Sequence, residues 1–244
     1  MIKKILLPAG GYGNRMPSTL NPKHCKPLIK ASDGRTMLEH TLARIQESRV
    51  TEKILVVTRK ELVDEMTIII RKMGLNNVEI FEDIYLRGTP FVALVYADEL
   101  KNDPFGYICG HAPLGPEFLD AVINKPNTDE EESVMCYSTL GKTKAKSVRA
   151  VIDESGQIKK MLVPTQHDND SLPIVNSPYL LTPDIINLIR ENPDLGWQAH
   201  LTNQLDHHTT IYGTITSYPH EADTIEDLTR TFAYIEKTAY APVY

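Results

Sequence analysis

A glycine-rich segment near the N-terminus contains the residue types that bind phosphate groups. An apolar run at residues 5–7 leads into Gly10, Gly11 and Gly13. Glycine tolerates positive φ and has no Cβ, so the backbone N–H groups of such a turn can approach a phosphate oxygen closely. The spacing therefore predicts a phosphate-binding loop, although for the glycines alone an ordinary turn after a strand stays an open alternative.

Three basic residues follow this turn. Arg15 offers a planar set of donors that matches phosphate oxygens. Lys23 and Lys26 offer mobile point charges that could stabilise the negative charge developing on a leaving pyrophosphate. Because the chain as a whole is acidic, this local concentration of positive charge favours the binding of a triphosphate. The structural alternative is a solvent-exposed basic surface.

Two better-known glycine motifs do not fit these residues. A P-loop ends in Gly-Lys-Ser or Gly-Lys-Thr, and no such ending follows Gly13. A dinucleotide-binding fingerprint requires a third small residue where Met16 stands, and Pro17 and Pro22 would interrupt the helix that this motif begins. The segment thus predicts a phosphate site of another kind.

The composition predicts a cytoplasmic protein with a full hydrophobic core. A chain of 244 residues can bury such a core as one α/β domain or as one domain with a small appendage. The formal net charge of −6 argues against a broad basic face for nucleic acid, and no apolar run reaches membrane-spanning length. The first residues predict a strand rather than a signal peptide. The cysteines, Cys25, Cys109 and Cys136, are odd in number and widely spaced, as is typical of a reducing compartment.

Short apolar or β-branched runs alternate with helical patterns along the chain. Strands are predicted at residues 5–7, 54–57, 78–81 and 107–109. Apolar residues at helical spacing predict a helix over 37–45, preceded by turn and N-cap residues at 33–36. This alternation is typical of the α/β class with a mostly parallel sheet.

Later segments predict a hairpin, a loop and two more helices. Residues 147–152 and 158–163 flank Asp153-Glu154-Ser155-Gly156, a pattern that predicts strand, turn and strand. The acidic run at 128–133 predicts a solvent-exposed loop. Residues 91–100 predict a helix, and Thr224 is placed to cap a final one.

The N-terminal segment as a whole resembles the signature of the sugar-phosphate nucleotidyltransferases, also called nucleotide-sugar pyrophosphorylases. The resemblance covers residues 7–16, Pro22-Lys23 and residues 26–28, with Asn14 where the family usually has Thr or Ser. It implies a single three-layer α/β/α domain, residues 1–244, with a mostly parallel mixed sheet of the Rossmann-like nucleotide-diphospho-sugar transferase type. The nucleotide-binding part would span about residues 1–120 and the acceptor part about residues 121–244.

The same resemblance assigns roles to individual residues. Arg15 and Lys26 would be catalytic, because they stabilise the transferring α-phosphoryl group, and Lys23 would be a further phosphate contact. Residues 82–90 are similar to the family's Gly-Thr element, which reads the nucleobase, although Gly-Thr-Pro before a helix is also a good helix start. The implied nucleotide-binding residues are Leu7, Ala9, Gly10, Gly11, Gly13, Asn14, Lys23, Glu82, Gly88 and Thr89.

Two further segments resemble the family's metal-binding elements. Residues 105–114 are similar to a strand that ends in Gly-Asp-x-Pro-Leu, with His111 in place of the aspartate, and residues 218–228 place Glu221 at the second acidic position. The family binds Mg²⁺ there, an ion that prefers oxygen ligands. An imidazole suits Mn²⁺ or another transition metal better. The resemblance therefore implies a divalent cation at His111 and Glu221.

Residues 174–181 resemble the element in which an asparagine contacts the sugar. Asn176 is the implied substrate-binding residue, although an asparagine shortly before a proline is also common in turns. The Glu-Lys-Pro motif that often precedes this element is absent from residues 161–166.

A zinc site built from Cys109 and His111, with His24-Cys25 nearby, is a less favoured alternative to the divalent cation at His111 and Glu221. Structural zinc sites usually show closely spaced cysteine pairs, which this sequence lacks.

The resemblance implies a nucleotidyltransferase that moves a nucleoside monophosphate from a nucleoside triphosphate to a phosphorylated acceptor, such as a sugar 1-phosphate, and releases pyrophosphate. The alternative is a catalytically weak or inactive homologue that binds a nucleotide or sugar nucleotide, or a regulatory subunit that pairs with an active homologue. The sequence leaves open the nucleobase, the acceptor and assembly into a homo-oligomer.

Overall fold

The computed structural model describes residues 2–13, 16–47, 52–87, 91–112, 132–138, 148–162, 172–206, 210–216 and 224–237. Among these residues, nine β-strands belong to one mixed sheet. The strands are β1 Lys4–Pro8, β2 Lys53–Thr58, β3 Val78–Glu82, β4 Phe105–Tyr107, β5 Glu132–Ser138, β6 Arg149–Ile152, β7 Ile158–Leu162, β8 Ile174–Leu181 and β9 Thr210–Thr216.

In the described segments, seven α-helices and two short 3₁₀ turns flank or connect the strands. The helices are α1 Met37–Glu47, α2 Val63–Lys72, α3 Val92–Val95, α4 Ala97–Leu100, α5 Asp184–Glu191, α6 Trp197–Asp206 and α7 Ile225–Lys237, and the 3₁₀ turns are Lys26–Leu28 and Lys60–Leu62. The α/β class predicted from the sequence is confirmed. Within the described part of the chain, no helix is long and apolar enough to cross a membrane.

The main path of the sheet runs β3-β2-β1-β4-β8-β5-β9. Strands β1 to β4 pair in parallel, β8 is antiparallel to both β4 and β5, and β9 is parallel to β5. The predicted mostly parallel mixed sheet is therefore confirmed. The chain moves outward from β1 to β3 and then returns to place β4 on the other side of β1, so the strand order reverses at β1.

Strands β1 and β2, which are neighbours in the sheet, form the centre of the hydrophobic core. Ile5, Leu6 and Leu7 of β1 are fully buried, as are the four consecutive residues 54–57 of β2. Strands of a parallel sheet that is covered on both faces have continuous apolar sequences rather than alternating ones. Because both strands are buried on both faces, each could be predicted from a short apolar run in the sequence.

A second, smaller core cluster fixes the C-terminal helix α7. It contains Met16, Ile29, Met37, Leu228 and Ile235. Helix α7 thus packs against the segments that follow the glycine-rich loop and precede α1.

Both α1 and α7 begin with a reciprocal capping box. The Thr224 N–H donates to the Asp227 carboxylate, and the Asp227 N–H donates to the Thr224 hydroxyl, each over 3.1 Å. At α1, the Thr36 N–H donates to Glu39 over 2.6 Å, and the Glu39 N–H donates to the Thr36 hydroxyl over 3.2 Å. Such boxes satisfy N–H groups that lack a partner within the helix. The predicted starts of both helices are confirmed.

The predicted hairpin is also confirmed as the antiparallel pair β6 and β7. Its turn contains Gly156 at φ +84°, and the Asp153 carboxylate accepts hydrogen bonds from the N–H groups of Ser155 and Gln157. The hydrogen bond from the Ser155 hydroxyl is the main cause that holds the pKa of Asp153 at about 2. Residues 147 and 163, at the ends of the prediction, lie outside the described residues.

Three predicted elements differ in the structure. The single helix over 91–100 is instead α3 and α4, which are separated at Tyr96, whose backbone leaves the helical region at φ −114° and ψ 25°. The buried Tyr96 hydroxyl lies 3.4 Å from the carbonyl oxygens of both Val56 and Glu79. The strand predicted at 107–109 begins earlier and ends at Tyr107, since the Cys109 N–H donates to the Ser177 hydroxyl rather than to a strand. The loop prediction over 128–133 is wrong at residues 132 and 133, which begin β5 beside β9.

Acid is expected to destabilise the fold through His200 on α6. This side chain is fully buried, and burial lowers its pKa below the ordinary value. The unfolded chain therefore takes up the proton first. The stabilisation is complete above the unfolded-state pKa of about 6.5 and is lost as the pH falls from there toward the lowered pKa of the folded state. Urea unfolding of His200→Gln should show a shallower loss of unfolding free energy between about pH 7 and pH 5 than the unaltered chain.

His24→Asn is the control for this experiment, since His24 is exposed. Its unfolding free energy should follow the pH dependence of the unaltered chain. A His200→Gln protein with the same pH dependence as the control would contradict the assignment.

Candidate functional site

The strand order of the sheet reverses at β1. Strand β2 lies on one side of β1 and β4 lies on the other. Ligands of open α/β sheets bind in the crevice at such a reversal, outside the carboxyl ends of the strands. The loop after β1, which carries the predicted phosphate-binding glycines, lies at this point.

The glycine loop, residues 9–13, is held against the end of β2. The Ala9 N–H donates to the Val57 carbonyl over 2.8 Å. A Cβ on Gly10 would lie 2.9 Å from the Arg59 backbone nitrogen, which is closer than real Cβ atoms approach. The side chains of Leu7 and Ala9 are buried, and the Ala9 carbonyl accepts hydrogen bonds from the Cys25 thiol and the Thr58 hydroxyl.

Gly13 has a stricter requirement for glycine than Gly11. Gly13 has φ +54°, and a Cβ there would lie 2.7 Å from the Asn21 amide nitrogen and 3.1 Å from Lys26 Cγ. Gly11 has no atom within 4 Å of its ideal Cβ position. The loop is therefore fixed at both ends, at Gly10 and Gly13, and open to solvent at Gly11.

The turn after β4 packs directly on the glycine loop. The Gly110 N–H donates to the Pro8 carbonyl over 3.0 Å, and a Cβ on Gly110 would lie 2.8 Å from Leu7 Cδ2 and 3.1 Å from Ala9 Cβ. The Ala112 N–H closes this turn on the Cys109 carbonyl. His111, half-buried within the turn, is thereby placed beside the predicted phosphate-binding loop.

The two predicted lysines have different surroundings. Lys26 begins a 3₁₀ turn, is 7% exposed and runs its Cγ beside Gly13. Lys23 has a side chain that is 54% exposed and forms an ion pair with Glu65 of α2. The structure therefore places Lys26 against the glycine loop and engages Lys23 with a neighbouring helix.

The lysine loop, residues 21–26, is a tight turn held by Asn21. The Asn21 side-chain oxygen accepts a hydrogen bond from the Cys25 N–H over 2.5 Å, and its backbone carbonyl accepts one from the His24 N–H over 2.9 Å. His24 has φ +49°, in the left-handed region that disfavours residues with a Cβ. The sequence Asn-Pro-Lys-His already marks a turn.

Arg59, at the end of β2, is a residue of this site that the sequence analysis missed. Its guanidinium donates to the Lys23 carbonyl over 2.9 Å and to the His24 carbonyl over 3.3 Å, and it lies 4.3 Å from the centroid of the Tyr12 ring. Arg59 is 6% exposed and pairs with Glu61 over 3.1 Å. The signal in the sequence was a basic residue directly after an apolar strand.

Asp83, after β3, is a second missed residue. Its N–H donates to the Thr58 carbonyl over 2.6 Å, and its carboxylate accepts from the N–H groups of Tyr85 and Leu86. This Asx turn sets the path of the chain after the exposed Glu82, and Leu86 adopts φ +49°. Gly88 and Thr89, which the resemblance assigns to the nucleobase, lie outside the described residues.

Asn176 lies within β8, so the alternative of an ordinary turn at this residue is wrong. Cys136 is opposite Asn176 and Met135 is opposite Tyr179, which leaves Ser177 and Pro178 as extra residues in β8. This irregularity allows the Ser177 hydroxyl to accept the Cys109 N–H over 3.0 Å. The backbone of Asn176 is therefore at the same edge of the sheet as the turn that carries His111.

Five predicted site residues belong to segments that the structure does not describe. Asn14, Arg15, Gly88, Thr89 and Glu221 lie outside the described residues. The structure places Lys26 against one end of the glycine loop and the turn that carries His111 against the other. Lys23 and Glu82 are more exposed than Lys26 and His111. Lys23 forms an ion pair with Glu65 of α2, and Glu82 is the last residue of β3.

The described residues contain no group of three or more histidine, cysteine, aspartate or glutamate side chains that could hold a metal ion. Cys25 and Cys109 are buried, and neither forms a disulfide. Burial raises the pKa of Cys25 to about 12, and its thiol donates to the Ala9 carbonyl over 3.4 Å. Cys25 is therefore a neutral thiol near pH 7 in the protein without metal.

Comparison with solved structures identifies the class of fold. No protein-family model matches the sequence, and no curated protein matches it. The structure has the fold of the sugar-phosphate nucleotidyltransferases. It is similar to a Bacillus anthracis protein described as a glucose-1-phosphate thymidylyltransferase, in complex with sucrose, with a TM-score of 0.76 at 17% identity, covering 100% of this chain and 98% of that one.

Two other solved structures match over nearly their whole length. An inositol-1-phosphate CTP transferase from T. maritima has a TM-score of 0.75 at 13% identity, with 98% of each chain covered. A UDP-glucose pyrophosphorylase in complex with UDP-glucose has a TM-score of 0.74 at 19% identity, covering 97% of this chain and all of that one. At these identities the likeness shows the fold, and the reaction has to be argued from the residues.

The glycine loop gives a matched pair of substitutions. Gly13→Ala should lower the free energy of unfolding by about 1–3 kcal/mol, because the residue has positive φ and its new methyl group would collide with Asn21 and Lys26. Gly11→Ala should have a small effect, because its Cβ enters open space. Urea unfolding of both variants compares the two positions directly. Equal destabilisation would contradict the geometry described for the loop.

Proposed function

We propose that the protein is a nucleotidyltransferase that transfers a nucleoside monophosphate from a nucleoside triphosphate to a phosphorylated acceptor of the sugar 1-phosphate class. The observation that supports this most is the packing of Lys26 against the glycine loop at the reversal of strand order. This arrangement combines backbone N–H groups and a cation where α/β folds bind ligands. The fold shared with sugar-phosphate nucleotidyltransferases is consistent with it.

In the proposed reaction, an acceptor phosphate oxygen attacks the α-phosphorus of the triphosphate. The bond from the α-phosphorus to the oxygen bridging it to the β-phosphorus breaks, and pyrophosphate leaves with that oxygen and the electron pair. Because the acceptor phosphate is already an anion, no side chain has to remove a proton. The protein contributes positioning and neutralisation of charge.

Each residue of the proposed site has its own role in this reaction. The glycine loop would bind the triphosphate, and Arg15 and Lys26 would stabilise charge on the α-phosphoryl group as the leaving pyrophosphate departs. Lys23 would be a further phosphate contact, for which it exchanges its ion pair with Glu65 for a phosphate. Glu82, Gly88 and Thr89 would contact the nucleoside, and Asn176 would contact a hydroxyl of the acceptor.

A divalent cation would be held by His111 and Glu221, with the remaining ligands from phosphate oxygens and water. One imidazole and one carboxylate suit Mn²⁺ or another transition metal better than Mg²⁺, which prefers oxygen ligands. When bound, the cation would neutralise charge on the phosphates. The position of His111 beside the glycine loop supports its part of this assignment.

The second candidate is a protein that binds a nucleotide or sugar nucleotide without turnover, either alone or as a subunit beside an active homologue. The observation that favours it is His111, which replaces a carboxylate of the family pattern. Both candidates expect the triphosphate in the same loop. They differ in whether pyrophosphate is released and in how binding depends on the cation.

Nucleotide binding is tested first by thermal unfolding with each common ribonucleoside triphosphate and with dTTP, in Mg²⁺, in Mn²⁺ and in chelator. A ligand at a hundred times its dissociation constant adds about 2.7 kcal/mol to the free energy of unfolding. For a chain of this size, at about 2–4 °C per kcal/mol, that corresponds to a rise in midpoint of roughly 5–11 °C. We expect the unfolding midpoint to rise with the triphosphate of one nucleobase only, and only when a divalent cation is present.

The other outcomes of this experiment are equally informative. A rise that persists in chelator would favour the binding protein. If none of the nucleotides raises the unfolding midpoint, both candidates are wrong. A pyrophosphate-release assay with sugar 1-phosphates, run with whichever nucleotide binds, then separates transfer from binding.

The metal assignment predicts a change in ion preference for His111→Asp. The added carboxylate supplies the oxygen donor that Mg²⁺ prefers. Transfer activity with Mg²⁺ should therefore rise relative to activity with Mn²⁺ by roughly tenfold, the effect of about 1.4 kcal/mol. His111→Ala is the matched control, because it removes the imidazole and adds no carboxylate. If the two variants have the same ratio of Mg²⁺ to Mn²⁺ activity, His111 is not a ligand.

A further inference from the structure

We infer that Arg59 is a positioning residue that fixes the glycine loop, residues 9–13, and the lysine loop, residues 21–26, in one arrangement. Both loops belong to the proposed triphosphate site, so the nucleotide part of this inference rests on the proposed function. The positioning itself is a property of the chain without ligand and is tested separately. Arg59 lies between the two loops because β2, whose end it follows, is the neighbour of β1.

The contact with the lysine loop is made through two backbone carbonyls. One terminal nitrogen of the guanidinium, Nη2, donates to the Lys23 carbonyl over 2.9 Å and to the His24 carbonyl over 3.3 Å. These carbonyls belong to the part of the turn with the unfavourable φ of +49° at His24. The donation therefore stabilises the backbone conformation from which both lysines project.

The contact with the glycine loop is made through Tyr12 and through the backbone. The guanidinium carbon lies 4.3 Å from the centroid of the Tyr12 ring, within the range of a cation–π interaction. The backbone nitrogen of Arg59 lies 2.9 Å from the position of a Gly10 Cβ. Arg59 thus touches the glycine loop on both sides of Gly11.

The environment of Arg59 explains why a lysine would not replace it. The residue is 6% exposed, and it spans an ion pair to Glu61, two carbonyls and an aromatic ring. A planar guanidinium presents several donors in fixed directions while its face stacks on a ring. An ammonium group is a compact point charge and cannot make all of these contacts at once.

The positioning is tested by amide hydrogen exchange in the protein without nucleotide. In Arg59→Lys and Arg59→Gln, the amides of His24 and Cys25 should exchange at least tenfold faster than in the unaltered chain, because the lysine loop opens more often. The amides of β1 should keep their protection. Glu61→Gln is the matched control, since it removes the ion pair and keeps the carbonyl and ring contacts. Unchanged exchange in both Arg59 variants would overturn the inference.

The consequence for the proposed reaction is a selective loss of triphosphate affinity. The KM for the triphosphate should rise about tenfold in Arg59→Lys, whereas the KM for the acceptor should stay the same, because only the triphosphate contacts the two loops. A general loss of structure would raise both values. A triphosphate KM in Arg59→Lys equal to that of the unaltered protein would overturn this part.

Tyr12 provides a second test that does not depend on a buried position, since it is 53% exposed. Tyr12→Leu removes the ring and should raise the triphosphate KM, whereas Tyr12→Phe keeps the ring and should raise it less. Once Arg59 is replaced by Gln, adding Tyr12→Leu should cause no further rise. Additive effects of the two changes would show that Tyr12 and Arg59 act independently, against the inference.

The outcomes separate the inference from the proposed function. Faster exchange of the lysine loop in a protein that binds no triphosphate would leave the positioning role intact and refute the nucleotide site. Triphosphate binding that is indifferent to Arg59 and Tyr12 would support the nucleotide site and refute the positioning role.

Discussion

The parallel pairing of β1 with β2 on one side and with β4 on the other is the constraint on which the site depends. It brings the loops that follow three strands to one edge of the sheet, at the point where the strand order reverses. The buried apolar sequences of β1 and β2 stabilise this pairing. Without this pairing, the glycine loop, the turn that carries His111 and Arg59 would not lie next to one another.

The close approach of these loops explains where glycine is required. Gly10 lies against the backbone of β2, Gly110 lies against β1, and Gly13 lies against the lysine loop. Side chains at these positions would separate the three segments. Gly11 differs because it faces open space, and there the absence of a side chain leaves room for a ligand rather than for another part of the chain.

Acidic residues near α2 compensate the positive charge of the site. Lys23 pairs with Glu65, and Arg59 pairs with Glu61. The exposed pair at Lys23 is weak, as ion pairs in water generally are, and a phosphate can replace its carboxylate. The buried Arg59 keeps its position through carbonyl and ring contacts as well. The same region thus contains one exposed cation, Lys23, and one buried cation, Arg59, that contacts both loops.

The sequence by itself determined the α/β class, the strands β1 to β3, the helix starts at Thr36 and Thr224 and the candidate glycine loop. These features follow from neighbouring residues, through apolar runs, capping boxes and glycine spacing. Only the tertiary structure decided that Tyr96 interrupts a helix, that Glu65 engages Lys23 and that Arg59 joins two loops. Such contacts link segments far apart in the chain, and their geometry depends on how the strands are ordered in the sheet.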